Sequence, residues 1–263
     1  MVIERGYHSY HMVERSPWPV VGASGALGVA LGVIVYMHYR VIIVLIIGVI
    51  TVIGTMVGWW RDIIREATYK GEHTRRVRQG IVYGIILFIV SEVCLFVSLF
   101  WAYIHNGLSP AVEIGNVWPP IGIQAMLANG VPLVNTVVLL SSGATITIGH
   151  HGIISRRYKE AIIGISVTVL LGGLFSLLQY MEYKGASYTI ADSVYGSAFY
   201  ITTGAHGLHV LIGSIFIGVC LCRLIVGQYS SSHLVGFEGS VWYWHFVDIV
   251  WLCLYIIMYW WGA

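Results

Sequence analysis

Seven apolar runs punctuate the chain, at 17–37, 41–60, 80–105, 131–149, 161–181, 195–225 and 239–261. A helix needs about 20 such residues to cross a hydrocarbon core roughly 30 Å thick. Membrane-spanning strands are about 10 residues long and alternate apolar with polar positions. The unbroken runs therefore predict seven transmembrane helices and an all-α membrane protein. The sixth, at 1.5 Å rise per residue, measures roughly 46 Å and must tilt or project beyond the bilayer. Only His38, Tyr39 and Arg40 separate the first two runs, which forces a tight antiparallel hairpin. The longest gap, 106–130, is too short for a separate globular domain, so 1–263 reads as one membrane domain with small loops.

Composition narrows the class further. The chain is 57% hydrophobic and 10% charged, where a soluble domain is about 25% charged. Its 10 Trp, 17 Tyr and 8 Phe exclude a disordered chain. A net charge of +2, with no basic block beside an aromatic platform, offers nucleic acid no footprint. With alternating spans, all but Arg40 and Lys184 of the 14 Lys and Arg fall on the face holding the N-terminus. The positive-inside rule then places the N-terminus inside and the C-terminus outside. Residues 1–16 carry Glu4 and Glu14 and lack the apolar core of a signal peptide, so no removable address is expected. Cys94, Cys220, Cys222 and Cys253 lie within the runs, where no disulfide framework is expected.

Of the 14 basic and 12 acidic side chains, Glu92, Arg223 and Asp248 alone fall inside the runs. Arg223 is near an end, where it can snorkel. Glu92 sits near the middle of the third run, in FIVSEVCLF. A charged carboxylate at that depth costs at least about 2.5–3.5 kcal/mol, which favours the protonated acid. Two readings stay open for it: a proton-exchange or regulatory carboxyl, and an acid that only makes an interhelical hydrogen bond. Asp248 follows His245 by three positions in WYWHFVDIVW, and His206 and His209 repeat the spacing in GAHGLH, so each pair shares a helix face. A hydrogen-bonded cluster of His206, His209, His245 and Asp248 between neighbouring helices is expected. A metal or haem site is not. Zinc or copper needs three or four converging ligands and a bis-histidine haem needs two at matched depth, whereas His105, His150 and His151 lie at run ends on opposite faces.

The remaining features read as membrane architecture. Gly22, Gly25, Gly28 and Gly32 give the first run a small-residue surface, and Gly54 with Gly58 forms a GxxxG pair in the second, both suited to close helix packing. Trp59, Trp60, Trp242, Trp244, Trp260 and Trp261 mark interfacial depth. The basic stretch WWRDIIREATYKGEHTRRVR at 59–78 suits anionic lipid headgroups, although a positive-inside excess alone produces such a cluster.

The motifs HSYHMVERSPWP at 8–19, WWRDIIREAT, ILFIVSEV, EIGNVWPPIGI, VPLVNTVVLLSSG, YTIADSVYGSAFY, TTGAHGLHVLIGS, WYWHFVDIVWL at 242–252 and the terminal YWWGA follow one another along the chain. With them the chain resembles subunit III of the mitochondrial aa3-type cytochrome c oxidase family over essentially its whole length. The resemblance implies seven transmembrane helices, the first two split from the other five by a V-shaped, lipid-filled cleft. It implies the mitochondrial inner membrane, with a bacterial plasma membrane as the alternative. It implies a subunit with no cofactor of its own except bound phospholipids, haem a, haem a3 and copper belonging to neighbouring subunits. Such a subunit packs on subunit I, beside subunit II and accessory subunits, and supports proton uptake, oxygen access and durable turnover as electrons pass from cytochrome c to O2. Carried over by position, the family's buried carboxyl is Glu92, and its lipid headgroup contacts are Trp59, Trp60, Arg65, Glu66, His73 and Arg223.

Two positions depart from that pattern. Many members carry His-His where this chain has Glu72-His73 and Ser232-His233, which weakens any proton-collecting role for histidines at that surface. Three rival readings have less support. A quinol-oxidase subunit commonly lacks the first hairpin, which is intact here. A stand-alone proton-coupled transporter using Glu92 and Asp248 would be expected to show an inverted repeat, and none is seen. A haem b protein using His206 or His209 would show a Soret band.

Overall fold

The computed structural model describes residues 9–229 and 234–263; Glu4 and the Ser232-His233 pair lie outside the described residues. Seven helices are long and apolar enough to cross a membrane, and there is no strand among the described residues. They are α1 (Trp18–Tyr39), α2 (Ile43–Arg65), α3 (Arg75–Leu108), α4 (Val131–Ile154), α5 (Tyr158–Gly185), α6 (Ser193–Ile225) and α7 (Val235–Leu254). Most outrun the apolar stretches that predict them. α3 starts at Arg75, α5 continues to Gly185, and α2 and α7 run on into π-helical turns, Glu66–Lys70 and Tyr255–Trp260. Past the bilayer surface a helix still satisfies its backbone internally but no longer has to be apolar.

By internal packing the chain divides into two compact units, Met1–Ile81 and Val82–Ala263, where the apolar runs alone indicate a single domain. In the first, α1 and α2 pair antiparallel, turning at Arg40, whose φ of 58° is left-handed and whose N–H donates to the Tyr36 carbonyl at 2.9 Å. The two backbones touch. A Cβ on Gly32 would strike the Leu45 backbone, and one on Gly48 would lie 2.6 Å from the Gly28 carbonyl carbon. The glycine surface of α1 is thus the packing face, with Gly48 at its closest approach, and of the GxxxG pair only Gly58 meets α1. Gly54 faces open space and Gly58 lies against the Trp18 indole.

In the second unit α4 packs on α5 and α7, α5 on α6, and α6 on α7, closing a ring of four. Trp244 and Trp251 of α7 are fully buried and donate to Ser142 Oγ and Thr136 Oγ1 of α4, each at 2.9 Å. Trp244 is therefore a core residue, buried against α4 instead of facing lipid. A second polar thread crosses the same core. Asn135 Nδ2 donates to Gln179 Oε1 at 3.2 Å, Gln179 Nε2 to the Tyr259 hydroxyl at 3.2 Å, and that hydroxyl to Glu182 Oε2 at 3.4 Å. By contrast, α1, α2 and α3 leave most of their apolar side chains exposed, among them Leu27, Ile50, Val57 and Leu87. In a membrane protein such faces meet lipid or neighbouring subunits.

Candidate functional site

Glu92 of α3 meets His209 of α6. Glu92 Oε2 lies 2.9 Å from His209 Nε2, and both side chains are largely buried. His209 Nδ1 lies 2.7 Å from the Ala205 carbonyl oxygen, which can only accept, so Nδ1 carries a proton. A neutral His209 then presents Nε2 as a bare acceptor, and the contact with Glu92 holds a single shareable proton. The imidazole is fixed by rings: Phe96 approaches edge-on at 5.1 Å and Tyr243 stacks at 6.2 Å.

The other members of the expected cluster go elsewhere. His206 Nε2 donates to the Val247 carbonyl at 3.2 Å and the ring rests against Phe175 and Trp251. His245 Nδ1 stands 3.6 Å from Asp248 Oδ2, too long for a hydrogen bond. The single His206, His209, His245 and Asp248 cluster is thus corrected to separate contacts, because α3 supplies His209 with a carboxylate that helical spacing on α6 and α7 could not reveal. Glu182 was missed for a related reason: the apolar run stops at 181, yet α5 carries Glu182 into the buried thread beside Tyr259.

Of the six residues expected to contact lipid headgroups, Trp59, Trp60, Arg65, Glu66 and His73 fall within the first unit and Arg223 within the second. Trp59, Arg65, Glu66 and His73 all line one cavity of about 700 Å³, along with Trp18 and Lys70. Trp60 does not line it and is 51% exposed. The segment before α1 forms another wall: Tyr10, His11, Glu14 and Arg15 line the cavity, Lys70 Nζ meets Glu14 Oε1 at 3.0 Å, and Thr74 Oγ1 donates to the Ser9 carbonyl at 2.6 Å. Asp62 accepts from the Trp18 indole N–H at 2.7 Å and from Arg61 at 3.2 Å. Burial, with a smaller push from neighbouring His11, holds His73 below the usual imidazole range. Arg223, in the second unit, donates to Gln228 Oε1 at 3.1 Å and to the Tyr229 hydroxyl at 3.0 Å, its guanidinium 4.5 Å from that ring.

The family model for cytochrome c oxidase subunit III matches residues 8–263. The chain belongs to the cytochrome c oxidase subunit III family. Cytochrome c oxidase subunit 3 of Branchiostoma lanceolatum is 52% identical over 256 residues, covering 97% of this chain and 98% of that protein. The proteins of the same name from Pisaster ochraceus and Coturnix japonica are 53% and 52% identical over the same shares. Membership makes this chain a core subunit of cytochrome c oxidase, a haem-copper oxidase, and its partners are the other subunits of that complex. In this family the resemblance drawn from the sequence motifs holds along the chain. Those relatives carry the cytochrome c oxidase name, and the quinol-oxidase, transporter and haem b readings give way to it.

Proposed function

We propose that within the oxidase this chain is a lipid-holding scaffold of the mitochondrial inner membrane, its N-terminus inside, packed on subunit I. Haem a, haem a3 and copper belong to neighbouring subunits I and II, and contact with cytochrome c is made through the complex. The observation that carries the lipid reading is the cavity lined by Trp59, Arg65, Glu66 and His73. Arg65 and Lys70 suit the phosphate oxygens of a phospholipid, and Trp59 supplies an amphipathic ring at headgroup level. Trp60 offers a second indole in the first unit, and in the second unit Arg223 suits a phosphate of its own.

The Glu92–His209 pair serves a different part of the same role. It keeps one transferable proton deep in a span and supports proton uptake, oxygen access and durable turnover in the neighbouring subunit.

The lipid reading is tested by measuring phospholipid in purified oxidase carrying Arg65→Gln. Tightly held phospholipid is expected to fall relative to the wild-type complex; an unchanged lipid complement would sink the reading.

A further inference from the structure

Three metal-ligating side chains outside the Glu92 site converge in the first unit. His11, Glu66 and His73 each offer an atom, and these atoms all lie within 4.8 Å of one another. Other acids of the same cavity are committed: Glu14 to Lys70, and Asp62 to Trp18 and Arg61. The Glu66 carboxylate and the two imidazoles form no hydrogen bond or ion pair through their side chains among the described residues, the rings of His11 and His73 facing each other at 6.0 Å. These three half-buried ligand groups converge on one place inside the cavity read above as a headgroup site, and two imidazoles with one carboxylate suit a cation there.

We propose that His11, Glu66 and His73 form a binding site for a divalent transition-metal ion of the zinc class. Two imidazoles and one carboxylate suit zinc, copper or nickel, whereas magnesium and calcium prefer oxygen donors throughout. Zinc bonds of roughly 2.0–2.2 Å place tetrahedral ligand atoms about 3.3–3.6 Å apart. From within 4.8 Å of one another, the ligand atoms have only about 1 Å to close to that spacing. Three protein ligands leave a fourth position for water or an anionic oxygen.

Local charge does not oppose the ion. The cavity's acids Glu14, Asp62 and Glu66 equal in number its cations Arg15, Arg65 and Lys70.

The experiment uses the intact oxidase complex, treated with chelator and then dialysed against micromolar zinc chloride. Anomalous scattering at the zinc edge is expected to show a peak among His11, Glu66 and His73. Metal analysis is expected to show one zinc fewer per complex in His11→Asn and in His73→Gln than in wild type. Absence of the peak, or equal zinc in wild type and both variants, overturns the proposal. The scattering measurement needs no substitution, so a variant that fails to assemble leaves the question decidable. A zinc peak that persists in delipidated wild-type complex sustains the site whichever way the headgroup reading falls.

Discussion

Glu92 and His209 share one proton across α3 and α6, because the Ala205 carbonyl already claims the proton on His209 Nδ1. Removing that transferable proton without removing the hydrogen bond isolates its role. Glu92→Gln keeps a donor to Nε2 and is expected to change complex stability by less than about 1 kcal/mol. Sustained turnover and proton stoichiometry should nevertheless fall; values and catalytic lifetime equal to wild type would refute a proton role for the pair.

Glu92→Leu does something else. It leaves His209 Nε2 buried without a partner, which costs about 1–3 kcal/mol. Thermal unfolding of the complex should register that loss, and pairing the change with His209→Leu should recover part of it, since the two side chains are in contact.

The Gly48 contact predicts a sharp asymmetry within α2. Gly48→Ala forces a Cβ into the Gly28 backbone and should destabilise the hairpin by about 1–3 kcal/mol. Gly54→Ala meets nothing within 4 Å and should leave assembly and melting temperature unchanged. Equal behaviour of the two variants would contradict the packing face assigned here.

Gln179 joins Asn135 to Tyr259 in the core of the second unit. Gln179→Leu strands the Asn135 amide, at about 1–3 kcal/mol, while the Tyr259 hydroxyl keeps Glu182, and should lower the melting temperature of the assembled complex more than Leu178→Ala, whose side chain only packs at the edge of the core.

His73 contributes to the pH dependence of the first unit near neutrality. Its value lies below the ordinary 6.5 because burial and His11 disfavour the charged ring. A histidine depressed in the folded state favours folding above the unfolded value, and this contribution is lost as pH falls from 6.5 through the depressed value. Histidine NMR of metal-free complex, assigned by His73→Gln, should show this ring titrating at lower pH than free imidazole. A value at or above 6.5 would contradict the burial argument.

Much of the fold is legible because hydrocarbon imposes one dominant constraint. The seven apolar stretches mark seven helices, and the glycines at 25, 28 and 32 mark the packing face of α1. Helix ends are not legible from hydropathy: Glu182 lies past its apolar run and yet sits in the buried thread. The isolated acid at Glu92 also stands out in sequence, and its family motif gives it a neighbourhood. Its partner does not stand out, since His209 looks like a neighbour of His206 until α3 is laid beside α6.

The sequence by itself determined the solvent in which this chain folds, the number of its spans and the family it belongs to, since each rests on local composition or on motifs contiguous in the chain. Tertiary structure alone decided which polar groups meet. It gave Glu92 to His209, buried Trp244 against Ser142, and drew His11 to Glu66 and His73. Such pairings depend on the rotation and depth of helices packed side by side, and no periodicity within one helix encodes the face its neighbour presents.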